Sequence, residues 1–195
     1  MIDGIDGLIG SLSINTFVSI AVLFIMSGQT NYLSYPLILA TATMPYLMYN
    51  LGWFSNNTKK IFMGDAGSMF IGLSVIWLLT MGTQGEQASF RPVTALWICA
   101  MPLMDMLAIV VRRYRSGRSP FKPDRDHLHH ILQRLGYNAR ETLVIISIFS
   151  VIMSAIGLAG EYFAIPDVIM LTGFIVIFAC YVLVIRKITT SEKVK

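Results

Sequence analysis

Between a few short charged stretches, this sequence holds apolar runs long enough to cross a lipid bilayer. A hydrocarbon core of roughly 30 Å needs about 17 to 25 helical residues. Six runs qualify: Ile9 to Met26, Tyr32 to Trp53, Ala66 to Gly82, Pro92 to Val111, Thr142 to Ala159 and Pro166 to Ile185. Backbone polar groups in lipid must be paired within their own segment, so these runs are expected to be helices. The expected fold is all-α: a single polytopic membrane domain of about six transmembrane helices over residues 1–195, with its chemistry on cytoplasmic loops. Charged residues make up 13 % of the chain, against roughly 25 % in a soluble domain, which argues against solubility. Cys99 and Cys180 each lie inside an apolar run, where neither a disulfide framework nor a Cys-rich metal site is indicated. The opening Met1-Ile2-Asp3 has neither a basic leader nor a small-residue cleavage site, so no secretory signal is expected.

Orientation follows from the basic residues. With the N-terminus inside, the inner segments hold 14 of them and the outer segments only Arg91. Positive residues collect on the cytoplasmic side, so both ends of the chain are expected there. The net charge of +4 reflects that asymmetry. Anionic headgroups account for it without nucleic acid.

The candidate reactive groups gather on the same side. Asp3-Gly4-Ile5-Asp6-Gly7-Leu8 opens the first run and places two carboxylates three residues apart, on one helical face. They suit either a hard cation or helix capping. Phe62-Met63-Gly64-Asp65-Ala66-Gly67-Ser68 leads into the third run. It offers backbone N–H groups and one carboxylate, fitted to a metal-bound diphosphate or to a capped helix start. Asn50, at the inner end of the second run, is a candidate substrate contact or a local cap. Asp105 lies within the fourth run, where a carboxylate needs a partner or a wet cavity; an ion pair with Arg112 or Arg113 is one answer. The inner loop 112–141 carries all three histidines, His127, His129 and His130. His127 and His130, three apart, would share a helical face. Flanking cations disfavour a zinc site, and arginines with histidines suit a substrate bearing several phosphate charges. A solvated basic loop on lipid headgroups explains the arginines but not the histidines.

Those three segments, the last running Ser119-Pro120-Phe121-Lys122-Pro123-Asp124-Arg125-Asp126-His127-Leu128-His129-His130, resemble the polyprenyl-phosphate N-acetylhexosamine-1-phosphate transferases. The His-x-His-His form is similar to the branch that transfers N-acetylglucosamine 1-phosphate. The resemblance implies Mg²⁺-dependent transfer of GlcNAc-1-phosphate from UDP-GlcNAc to undecaprenyl phosphate, with release of UMP. Mn²⁺ is an alternative metal. This would be the first membrane step of a cell-surface polysaccharide of O-antigen or common-antigen type. It further implies that Asp65 ligates the metal, that Asp3 and Asp6 are catalytic carboxylates, and that His127, His129 and His130 bind the nucleotide-sugar. Arg112, Arg113 and Arg125 are the cations assigned to phosphates.

Members of this family carry further spans before this region, with an adjacent Asp-Asp pair that these 195 residues lack. The chain is therefore expected to correspond to the C-terminal part of such an enzyme. A homo-oligomer or a separate N-terminal fragment is a candidate partner. The competing expectation is an incomplete, non-catalytic fragment that acts only as a membrane partner. A small transporter is a third reading, disfavoured because the polar residues collect on one face instead of lining a path.

Overall fold

The computed structural model describes residues 4–53, 60–85, 88–115, 117 and 127–192. These form eight α-helices: α1 (Leu8–Met26), α2 (Ser34–Asn50), α3 (Gly64–Thr83), α4 (Pro92–Ile98), α5 (Ala100–Arg115), α6 (Leu128–Arg134), α7 (Ala139–Tyr162) and α8 (Asp167–Glu192). A single 3-10 turn, Thr30–Tyr32, joins α1 to α2. No strand occurs among the described residues.

Four helices, α1, α3, α7 and α8, are long and apolar enough to cross a membrane. They cover four of the six expected runs. The run Pro92 to Val111 is not one straight helix: α4 and α5 meet at an angle of 83°. Pro102 explains the break. It has no N–H to offer the carbonyl four residues back, and its ring crowds that carbonyl. The carbonyl belongs to Ile98, the last residue of α4. Counted as one broken span, the pair brings the candidates to five. The remaining run, Tyr32 to Trp53, yields α2, whose 17 residues sit at the short limit for a crossing.

Three clusters hold the bundle together. Phe17, Ile20, Leu23 and Phe24 of α1 pack with Leu78 of α3, Phe90 and Ile98. Trp97, Met104, Met153 and Phe174 join α4, α5, α7 and α8. Ile5, Leu8, Leu12, Met101 and Ile146 form the third, with Leu128 and Leu132 of α6 laid against them. Between α1 and α7 the contact is polar in part. The Asn15 amide donates to Ser150 Oγ and Ser154 Oγ at 3.0 and 2.9 Å, and Ser147 Oγ donates to Ser11 Oγ at 3.2 Å. Apolar packing gains little where the surrounding solvent is itself apolar, so small residues and interhelical hydrogen bonds fix such contacts. Outward-facing positions are apolar as well: Phe70, Leu73 and Ile76 of α3, and Val168, Ile175 and Val176 of α8, are exposed.

At one end of the bundle a single guanidinium ties three helices. Arg91, just before α4, reaches Glu161 of α7 at 3.2 Å and Asp167 of α8 at 2.8 Å, and donates to the carbonyls of Gly160 and Ile165. Glu161 also accepts from the Thr94 hydroxyl. This is the cation that the charge count left outside, and here it is neutralised.

Candidate functional site

The opposite end of the bundle gathers the candidate residues. The chain enters α1 through Gly7, whose φ of 83° lies in the left-handed region, where a side chain is strained. A Cβ there would also approach Leu51 and Leu143 to 2.6 and 2.9 Å. The Gly7 N–H donates to Asn50 Oδ1 at 2.5 Å, and the Asn50 amide donates to the Ile61 carbonyl at 2.7 Å. Asn50 is 1 % exposed. It therefore fastens the Asp6-Gly7 turn to the end of α2 and to the segment that leads into α3. Beside it, Lys60 donates to Asp6 Oδ2. Both groups are partly exposed, and exposed ion pairs contribute little stability, so this pair can open for another partner.

The histidines are held by a carboxylate from within the bundle. Asp105 of α5 meets His127 Nδ1 at 2.8 Å through Oδ2, and its Oδ1 accepts from the Leu128 N–H at 3.0 Å and from the Tyr181 hydroxyl at 3.3 Å. These are the partners Asp105 takes where the sequence suggested Arg112 or Arg113. His127 is not on the helix. Its backbone is extended and it forms the N-cap of α6, so His127 and His130 do not share a helical face. Instead His127 and His129 stack with ring planes 3° apart, and His130 lies 4.1 Å from His129 between centroids.

His129 faces the acidic turn. A Cβ on Gly4 would fall 2.2 Å from its Nε2, so only glycine at position 4 admits the ring. Among the described residues Nε2 has no hydrogen-bond partner, although His129 is 4 % exposed. Burial, and then the nearby His130 and His127, depress its pKa to about 4. His129 is thus neutral at pH 7. It can exchange a hydrogen bond with a ligand but adds no charge; cationic charge must come from elsewhere.

Of the other candidates, Asp65 is exposed in the first turn of α3, with Ser68 Oγ donating to its backbone carbonyl. Arg112 is half-buried and Arg113 buried, both near the end of α5. Asp3 and Arg125 lie outside the described residues. The described residues bring no three His, Cys, Asp or Glu side chains together as a metal cage. Asp65 fits a different mode. Mg²⁺ commonly binds through one or two carboxylates and keeps its other positions for water and substrate phosphates.

Gly4, Lys60 and Tyr181 were not singled out by the sequence. Asp105, conspicuous as a carboxylate at depth, was the one signal that led toward Tyr181.

The chain matches the model of glycosyl transferase family 4 over residues 1–83. It is 45 % identical over 182 residues to the undecaprenyl-phosphate alpha-N-acetylglucosaminyl 1-phosphate transferase of Escherichia coli strain K12, covering 93 % of this chain and 49 % of that protein. The proteins of the same description from Yersinia pestis and Haemophilus influenzae are 44 % and 45 % identical, over 93 % and 89 % of this chain. They are covered to 50 % and 49 % of their lengths. The chain spans about half the length of the curated relatives it matches.

Proposed function

We propose that this chain supplies the cytoplasmic-face site of an enzyme that transfers GlcNAc-1-phosphate from UDP-GlcNAc to undecaprenyl phosphate. A phosphate oxygen of the lipid forms a bond to the sugar-bearing phosphorus. The bond from that phosphorus to the bridging oxygen breaks, and the electron pair leaves on UMP. The product would be the first lipid-linked intermediate of a surface polysaccharide of O-antigen or common-antigen type. The setting is the bacterial inner membrane, with six crossings and both ends of the chain inside.

One observation carries this reading. The acidic turn, the segment before α3 and the histidine helix, far apart in sequence, meet at one end of the bundle through Asn50, Lys60 and His129. Two anionic reactants must be brought together there, and positioning with charge neutralisation does most of the work in phosphoryl transfer. Asp65 would hold Mg²⁺, or Mn²⁺ in its place, together with the diphosphate, and the metal would neutralise charge on the diphosphate oxygens. Asp3 and Asp6 provide the carboxylates beside the reacting phosphates. Lys60, Arg112, Arg113 and Arg125 supply positive charge. Neutral His129, with His127 and His130, hydrogen-bonds the nucleotide-sugar. Asn50 acts through the turn it holds.

The test is UMP release from UDP-GlcNAc by membranes that contain the chain, in a host without its own enzyme. Release should require undecaprenyl phosphate and a divalent ion, and Asp65→Asn should abolish it while the protein still inserts. Near-normal turnover in Asp65→Asn would remove that carboxylate from the site. A second reading is a catalytically incomplete chain that acts only as a membrane partner. No release by the chain, either alone or with a separate N-terminal fragment supplied, would select it.

A further inference from the structure

We propose that Asp105 and Tyr181 are positioning residues: together they cap α6 from outside the helix and thereby aim His129 at the Gly4 turn. This inference rests on the transferase reading for its consequence in turnover, but not for its geometry.

α6 has little of its own to hold it. It is 7 residues long, and helices shorter than about 12 residues are marginal in water without outside support. Its N-cap, His127, makes no side-chain capping bond, so the first N–H groups of the helix need another acceptor. Asp105 provides it from α5, through the Leu128 N–H. The same carboxylate meets Nδ1 of the capping histidine. A carboxylate accepts, so Nδ1 of His127 carries a proton directed at Asp105. Tyr181 of α8 donates to the oxygen that caps Leu128 and so fixes the rotation of the carboxyl group. Three elements, α5, α6 and α8, thus converge on one side chain.

His129 is placed as a result. Its ring lies parallel to that of His127, which Asp105 holds, and its Nε2 abuts Gly4. A cavity of about 20 Å³ between α1, α5, α6 and α7 is lined by Asp105 and His129, leaving little room for the ring to turn another way. The geometry supplies what an isolated loop histidine lacks, a fixed direction. Sites held to within a fraction of an ångström need such supports behind them.

Two measurements test this. The first is hydrogen exchange over residues 127–134 of the purified protein in detergent, without substrate. Asp105→Asn should speed exchange there by on the order of tenfold, the loss expected for a hydrogen bond to a charged group. Tyr181→Phe, which removes one bond and no charge, should speed it less, and it remains informative should Asp105→Asn fail to fold. Exchange in α6 unchanged in the folded variants would overturn the proposal, whatever the chain catalyses. The second is steady-state kinetics in the active enzyme. Tyr181→Phe should raise KM for UDP-GlcNAc several-fold with kcat and KM for the lipid nearly constant. An equal loss with both substrates would show a structural role alone and would overturn the assignment to His129.

Discussion

Asn50 shows how a single polar side chain can be spent entirely on the fold and still matter to the site. Both of its amide groups are used on backbone, one on Gly7 and one on Ile61. Asn50→Ala would leave the Gly7 N–H unsatisfied in a buried place, at a cost of about 1–3 kcal/mol. Thermal unfolding in detergent should show a lower Tm, with Asn50→Asp milder because it keeps the acceptor for Gly7. From sequence, Asn50 reads as a substrate contact or, more often for a lone Asn there, a local cap, since nothing in the linear order states that Gly7 lies beside it. His129 carries a second prediction at this scale. Its pKa is about 4 in the folded chain and near 6.5 when unfolded, so between these values the unfolded chain binds the extra proton. Stability that is present above about pH 6.5 is therefore lost as pH falls toward 4. His129→Gln should flatten that part of a stability–pH curve. Burial and two neighbouring imidazoles, those of His130 and His127, keep His129 neutral.

Helices were legible where apolar length decides them. α1, α3 and α7 begin and end within a few residues of the runs that announce them, and α8 starts at its run but continues past Ile185 to Glu192. The run Pro92 to Val111 failed as a straight span for a local reason, the proline that breaks the ladder at Ile98. α6 was hidden because only 7 residues form it and its cap comes from another helix. The seam between α1 and α7 was also invisible, since Ser11, Asn15, Ser150 and Ser154 read as ordinary small polar residues inside apolar runs. Asn15→Leu removes two interhelical hydrogen bonds. At roughly 0.6 kcal/mol each, the expected loss is about 1 kcal/mol in unfolding measurements, with little change in helical content.

On the scale of the whole molecule, the sequence organises the chain by charge. Acidic and imidazole groups from distant motifs meet at one end, and a lone arginine closes the other. In a background with Cys99 and Cys180 replaced, single cysteines at positions 65 and 130 should react with an impermeant thiol reagent only in inside-out vesicles. A cysteine at position 88 should react only in right-side-out ones. Reaction of positions 65 and 130 from opposite sides would end the proposed site. The Arg91 tie has a mechanical consequence. One guanidinium pins the starts of α4 and α8 and the end of α7, so splaying of these helices must pivot there. Displacement grows with distance from a pivot. The largest excursions therefore fall some two dozen residues away, at the end of the bundle that holds Asn50 and His129.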